Sequence, residues 1–366
     1  MVRVTRASLR DFRNYERAEV ALGEGLTVVC GPNGAGKSNL LEALYFGCTG
    51  HSCRTSNERE LVRFGEKVAR VSLDLEAEDG GHRLEVGFEP GQPKHFRVDG
   101  APVERLTSSE MRPLVGVFMP DRLDLVKGAP LLRRAHLDQV IAALWPARGT
   151  ARGEYSRALA QRNALVARIR AGLARPELLD TWDLELARHG IALMEARRAV
   201  LAELEHPFQR LAEELGVPGE CALQYRPRSR AGDAGELRAE LLERREDDLG
   251  RGFTTHGPHR DDLALVRDGR SLRSYGSQGQ QRAGLLALLF AEREALAAIG
   301  RPPLMLLDDV MSELDAARRE RLVELVRSGG QAVVAATEPE HVPGARDGDV
   351  ELLLVAEGAV AVEAAV

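Results

Sequence analysis

Apolar positions along the chain change period twice. Over roughly the first 120 residues they alternate with polar ones or form short runs, the mark of strands. Residues 68–76 and 82–89 alternate cleanly on either side of Asp79-Gly80-Gly81, which predicts a hairpin. Short strands are also expected at His95–Val98 and over 113–119. From about 131 to 245 apolar residues recur every three to four positions among Leu, Ala, Glu and Arg, which predicts helices. Pro146, Pro176, Pro207 and Pro218 are expected to break that stretch into several pieces. After about residue 253 strand-like segments return at 263–266, 303–307 and 331–336. They are interleaved with a long apolar helix starting near Gln280 and a helix over Ala316–Arg327, and a closing hairpin is expected from 350–355 and 360–362. The order predicts an α/β nucleotide-binding domain split by an insertion. Residues 1–125 and 251–366 would form its halves and 126–250 a compact all-α domain; sustained heptads for an extended coiled coil are lacking.

Within the first half, Gly31-Pro32-Asn33-Gly34-Ala35-Gly36-Lys37-Ser38 follows the apolar run 26–30 and precedes the helical pattern 40–44. This is a G-x-x-x-x-G-K-[ST] phosphate-binding loop in its required strand–loop–helix setting. Glycines let backbone N–H groups close around phosphate oxygens, and Asn33, Gly34, Ala35, Gly36 and Asn39 lie along that wrap. Lys37 is expected to reach the β- and γ-phosphates of ATP, and the Ser38 hydroxyl to hold Mg2+. Only four of the 50 basic residues are Lys, so residue frequencies give roughly 0.003 chance matches in such a chain. A chain that writes nearly all its positive charge as Arg keeps a compact ammonium here.

Bulk numbers narrow the class. The chain has 366 residues, 44% hydrophobic and 29% charged, ordinary for a soluble protein of two domains or one with a large insertion. No apolar run approaches the roughly 18 residues of a membrane span, and Met1-Val2-Arg3-Val4 opens directly on a strand pattern, so no signal peptide or membrane partner is expected. Cys30, Cys48, Cys53 and Cys221 form no disulfide framework, which with the rest suggests a reduced, cytoplasmic setting. His51 between Cys48 and Cys53 lacks a second ligand pair for a metal. A net charge of −6 argues against coating nucleic acid by bulk electrostatics. Residues 148–175, however, carry seven Arg and one acid, Glu154, a solvated helical face or a DNA- or partner-facing stripe.

The second half supplies the rest of an ATPase. The apolar run 304–307 ends in Asp308 and Asp309, a strand delivering carboxylates; Asp308 would face the metal and Asp309 polarise the attacking water. Upstream, Ser277-Gln278-Gly279-Gln280-Gln281 opens a helix and can present hydroxyl and N–H groups to phosphate. The order of these motifs, with Ser312-Glu313-Leu314-Asp315 behind them, resembles the ABC-type ATPases. That resemblance implies that two copies dimerise, with Ser277, Gly279 and Gln280 of one meeting ATP held by the other.

Several segments resemble the RecF family more closely. They are Leu9-Arg10-Asp11-Phe12-Arg13-Asn14-Tyr15, the stretch 120–138 from Pro120-Asp121-Arg122 to His136-Leu137-Asp138, and Thr255-His256-Gly257-Pro258-His259-Arg260-Asp261-Asp262. The resemblance implies a weak, DNA-stimulated ATPase: an ATP-dependent homodimer on double-stranded and gapped DNA that helps RecO and RecR load RecA. It also implies that Arg13 and Asn14 approach the nucleotide; an edge-strand turn is the alternative. Departures are the His136 where the family usually carries an aromatic, no Gln over 114–120, and Thr337 where transporter-type relatives carry His. Asp309 stands where many relatives use Glu, one methylene longer, so slow hydrolysis suited to a release timer is expected. His256 and His259 flank a turn and are expected to be structural. Arg54 is a candidate contact to DNA phosphate. A transporter subunit would need the missing Gln and His, a simple kinase has no use for a signature loop, and an SMC-type head would need long heptads.

Overall fold

The structure is a computed structural model, described here over residues 2–106, 111–119, 123–312 and 314–363. The chain forms two compact units: one of residues 1–122, 214–216 and 289–366, the other of 123–213 and 217–288.

The first unit opens with β1 (Arg3–Phe12), β2 (Tyr15–Ala21), β3 (Leu26–Cys30), helix α1 (Lys37–Thr49), β4 (Ala69–Ala77), β5 (Gly80–Phe88), β6 (His95–Val98), β7 (Ala101–Val103) and β8 (Val115–Phe118). Six of these strands make an antiparallel sheet in the order β2-β1-β4-β5-β6-β7. On β4, Val71, Leu73 and Leu75 turn inward while Arg70, Ser72 and Asp74 turn out, as the period of two requires. The inward face shares one core with Leu40, Leu41 and Leu44 of α1 and with Val29, Leu306 and Val333 of a second sheet.

The second unit holds α2 (Asp124–Lys127), α3 (Pro130–Leu144), α4 (Thr150–Arg170), most of α5 (Leu179–Glu214), α6 (Ala234–Glu243), α7 (Arg245–Arg251), α8 (Leu272–Tyr275) and the start of α9 (Gln278–Ala298). It is not all-α. β9 (Cys221–Arg226), β10 (Asp262–Arg267) and β11 (Arg270–Ser271) form an antiparallel sheet in the order β11-β10-β9. Residues 251–288, expected with the C-terminal half of the ATPase, cluster in this unit, because β10 hydrogen-bonds along its length to β9. Pro207 does not break its helix: α5 runs through it. A mid-helix proline costs about 3 kcal/mol, and the full burial of Leu204, Phe208, Leu211 and Ala212 on either side offsets that. Charges are buried here in pairs. Arg162, fully buried, donates to Asp183 at 2.6 Å and to Asp248 and Thr254 at 2.7 Å. Arg197 grips Asp138 with two bonds of 2.9 and 3.0 Å and reaches Asp261 at 3.2 Å. Arg162 therefore belongs to no exposed stripe, although Arg152, Arg157, Arg168, Arg170 and Arg175 around it are exposed.

The first unit is completed by β12 (Leu304–Asp308), α10 (Ala316–Arg327), β13 (Ala332–Ala336), β14 (Glu351–Ala356) and β15 (Ala359–Val362). With β3 and β8 they make a sheet ordered β15-β14-β3-β13-β12-β8, parallel except for the terminal hairpin. Every residue of β3, β12 and β13 is buried, as expected of central parallel strands.

Candidate nucleotide site

The loop of residues 31–36 joins the C-terminal end of β3 to α1, the place where open α/β sheets bind ligands. Two glycines are there for close approach. A Cβ on Gly31 would lie 2.2 Å from the Val355 carbonyl oxygen, and one on Gly36 would lie 2.6 Å from the Asn14 amide. The first turn of α1 carries no acidic residue and no side-chain cap, so its N–H groups stay open to an anion. Lys37 Nζ donates to the carbonyl oxygens of Gly31 at 2.7 Å and Pro32 at 3.1 Å, poised over the loop. Asn33 and Gly34 form the exposed lip, while Ala35, Gly36 and Lys37 are buried.

Asp308 ends β12 beside this loop, close enough to Ser38 for the hydroxyl to favour its ionised carboxylate. Burial pushes the Asp308 carboxyl above its usual range, and Asp309 adds to this, while Ser38, Arg54 and Lys37 pull it back. A hydroxyl and a carboxylate side by side at the phosphate loop are the donor set for an oxygen-loving divalent ion. Asp309 is exposed and holds a left-handed backbone, φ 45°, with its N–H donating to Ala335 at 3.2 Å. Asp tolerates that conformation better than most residues, and such outliers gather at reactive sites. Glu313, and Pro120, Asp121 and Arg122 of the family-like stretch, lie outside the described residues.

The segment after β1 supports the loop from behind. Asn14 Nδ2 donates to the Ala35 carbonyl at 3.0 Å, Tyr15 Oη to the Gly36 carbonyl at 2.9 Å, and Asn39 Nδ2 to Asn14 Oδ1 at 2.8 Å. Arg13, itself left-handed at φ 53°, forks onto Glu42 of α1 at 2.8 and 2.9 Å. Glu42 is fully buried and also accepts from Ser52 Oγ. Arg54 donates to Asn39 Oδ1 at 2.7 Å and lies 3.5 Å from Glu42. Arg54 is thus tied to the residue following Ser38 rather than standing free. Sequence reasoning missed Glu42, although a carboxylate within the apolar run Leu40-Leu41-Glu42-Ala43-Leu44 was itself a sign, since a buried charge needs partners.

In the second unit, Ser277 and Gln280 cap α9 reciprocally. The Gln280 N–H donates to Ser277 Oγ at 3.3 Å, and the Ser277 N–H to Gln280 Oε1 at 2.9 Å, a capping box. Gln281 Nε2 locks the preceding turn through the Leu272 and Gly276 carbonyls. Ser277 and Gly279 are exposed, and a Cβ on Gly279 would meet nothing within 4 Å. The histidines of the 255–262 segment are consumed locally: His256 pairs with Glu240, while His259 accepts from Tyr155 Oη at 2.7 Å and donates to the Thr254 carbonyl at 3.1 Å. Burial pushes His259 down to about 4, so it is neutral. Asp261 is a buried acceptor for Arg197, Tyr225 and the Arg228 N–H, and Asp262 takes a two-pronged bond from Arg133 at 2.8 and 2.9 Å.

A parallel sheet delivering a phosphate loop and a carboxylate to the same edge, with Ser38 beside Asp308, defines an ABC-type phosphate-loop ATPase head. A family model described as RecF/RecN/SMC N terminal domain matches residues 3–357. The DNA replication and repair protein RecF of Anaeromyxobacter sp. (strain Fw109-5) is 40% identical over 365 residues, covering 96% of this chain and 97% of that protein. Its counterpart from Streptomyces avermitilis is 38% identical over 364 residues, with 93% and 95% covered. The solved structure of the recombination mediator protein RecF with ATP, of the RecFOR pathway, matches at a TM-score of 0.86 and 28% identity over 99% of this chain and 98% of that one. An SMC head bound to the C-winged helix domain of ScpA shares the fold, at TM-score 0.62 and 17% identity over 98% and 96% of the two chains. The chain belongs to the RecF family of DNA replication and repair proteins.

Proposed function

We propose that two copies of this chain close over ATP into a dimer that holds duplex DNA near single-strand gaps, and that hydrolysis releases it. The placement of Ser38 and Asp308 beside Lys37 carries the reading, because it brings metal-side oxygens and a phosphate-seeking ammonium to one edge of one sheet. Bound Mg2+ would neutralise charge on the β- and γ-phosphates. Lys37 exchanges its loop carbonyls for phosphate oxygens, the α1 N–H groups take the α- and β-phosphates, and Asn14 with Tyr15 keeps the loop in shape. Asp309 is free to orient water. The exposed, capped Ser277–Gln280 turn suits a phosphate presented by a second copy. Because Asp309 is a methylene shorter than Glu and sits at a surface, turnover should stay below roughly 10 per second, a usual enzyme rate. The likeness to RecF proteins of the RecFOR pathway supports RecO and RecR as partners in loading RecA, and a cytoplasmic setting. Among the described residues no helix is long and apolar enough to cross a membrane.

Light scattering of Asp309→Asn with ATP and Mg2+, with and without gapped DNA, tests this, with Lys37→Met as control. A nucleotide-dependent dimer that DNA stabilises, missing in the control, is expected. A monomer under every condition would leave the exposed signature without a function and overturn the dimer.

A further inference from the structure

Three arginines stand in register on the outer face of the first unit's antiparallel sheet. Arg10 on β1 lies directly opposite Arg17 on β2 and Arg70 on β4, and the row runs on through Gly87 of β5 to His95 of β6. Arg10, Arg17, Arg70 and His95 are all exposed. Neighbouring strands are about 4.8 Å apart, and like charges directly opposite one another destabilise a sheet. The chain does little to relieve them. Arg17 reaches Glu19 at 3.1 Å and Arg10 reaches Asp11 at 3.6 Å, exposed pairs of small worth. Arg70 makes no ion pair or side-chain hydrogen bond with the described residues.

Elsewhere on the same face opposite charges meet. Asp74 faces Arg6 on one side and Arg83 on the other, the latter at 3.3 Å, and Glu76 faces Arg3 at 2.8 Å. Only the end row is left positive. At that end of the sheet, the turn 63–67 is tied to β1 by the Arg63 N–H bonding to the Asp11 carbonyl. Phe64 at its tip is completely exposed, 103% of the reference area. A row of exposed guanidinium groups at the same end of the sheet as a bare aromatic ring combines a phosphate track with a stacking platform for a base.

We propose that Arg17, Arg10 and Arg70, extended by His95, hold the phosphodiester backbone of DNA, and that Phe64 stacks on an unpaired base at the edge of a gap. The inference rests on the DNA-binding reading above and assigns it a surface. The sheet bears the cost of like charges because a polyanion neutralises them when bound.

The test is fluorescence anisotropy of the full chain with ATP and Mg2+, on gapped and on fully paired DNA, across a salt series. Wild-type protein must first bind gapped DNA; failure there overturns the DNA-binding reading and this surface with it. Arg10→Ser/Arg70→Ser should bind both DNAs at least tenfold more weakly, with a salt slope lower by about 2 because two phosphate contacts are gone. Its melting temperature should not fall, since the change removes repulsion, and its ATP affinity should match wild type. Phe64→Ala should lose roughly tenfold on gapped DNA, in the range measured for one stacked base, and nothing on intact duplex. Wild-type affinity and salt slope in the double variant would overturn the backbone track. Equal loss on both DNAs, or none, for Phe64→Ala would overturn the stacking platform.

Discussion

Replacing Glu42 by Gln should unsettle the nucleotide site from behind without touching ATP. Glu42 is fully buried, and its carboxylate takes both prongs of the Arg13 guanidinium at 2.8 and 2.9 Å while also accepting from Ser52. Glutamine keeps the volume and one acceptor oxygen but leaves a cation in a poorly hydrated place. Breaking one side of a buried ion pair costs about 3–5 kcal/mol. The Arg13 side chain retains 17% exposure, which places the loss at the lower end, about 3 kcal/mol. A unit of this size drops by roughly 2–4 °C per kcal/mol, so a fall of roughly 6–12 °C is expected in a thermal melt. ATP affinity should weaken as well, because Arg54, tied to Asn39 at 2.7 Å, loses the carboxylate 3.5 Å away that helps hold it. The melt should be repeated with Arg13→Met and with Arg13→Met/Glu42→Leu, whose apolar pair removes both buried charges and leaves only the part-exposed Arg54 and Ser52 to find other partners. The double variant should cost markedly less than the two singles together. A shift under about 2 °C for Glu42→Gln, or strict additivity, would refute the argument.

Other predictions follow from the same geometry. Gly31→Ala places a methyl 2.2 Å from the Val355 carbonyl, so β14 must move; urea unfolding should show a loss of about 3 kcal/mol, and titration a loss of ATP binding. Gly279→Ala meets nothing within 4 Å and sits in the first turn of α9. It should leave stability unchanged or raise it by up to about 1 kcal/mol, yet abolish the ATP-dependent dimer seen by light scattering. His259, pushed down to about 4 in the folded state, is neutral there while its unfolded counterpart takes a proton below about 6.5. Stability should therefore fall as pH drops from about 6.5 toward 4, by about 3 kcal/mol. Chemical denaturation at several pH values should show that component missing in His259→Gln.

How much of this was legible in the sequence depended on whether the signal was local. The phosphate loop, the Asp308–Asp309 strand end and the Ser277 turn are short motifs whose residues act together within a few positions, and the structure places them on the elements their flanks predicted. β9 was hidden because Cys221–Arg226 is short, follows a long helix and pairs with a strand some forty residues away. Pro207 misled for a related reason, since the burial that holds α5 straight through it comes from packing and not from propensity. The Arg13–Glu42 pair spans 29 positions, and neither residue announces the other. The arginine row is invisible until strand register is known: Arg10, Arg17 and Arg70 share no spacing, and only the pairing of β2, β1 and β4 makes them neighbours.

The central claim is that Ser277 and Gly279 of one copy complete the ATP site of another, and mixing two inactive chains tests it most directly. Lys37→Met lacks a working phosphate loop, and Ser277→Arg lacks a working signature, so each alone should hydrolyse no ATP on gapped DNA. A mixed dimer joins the intact loop of one to the intact signature of the other. At equal concentrations ATP turnover should return, to at most about half of the wild-type rate, since neither variant pairs with itself and each mixed dimer holds one complete site of two. A mixture as silent as its components, while wild type turns over under the same conditions, would contradict the account.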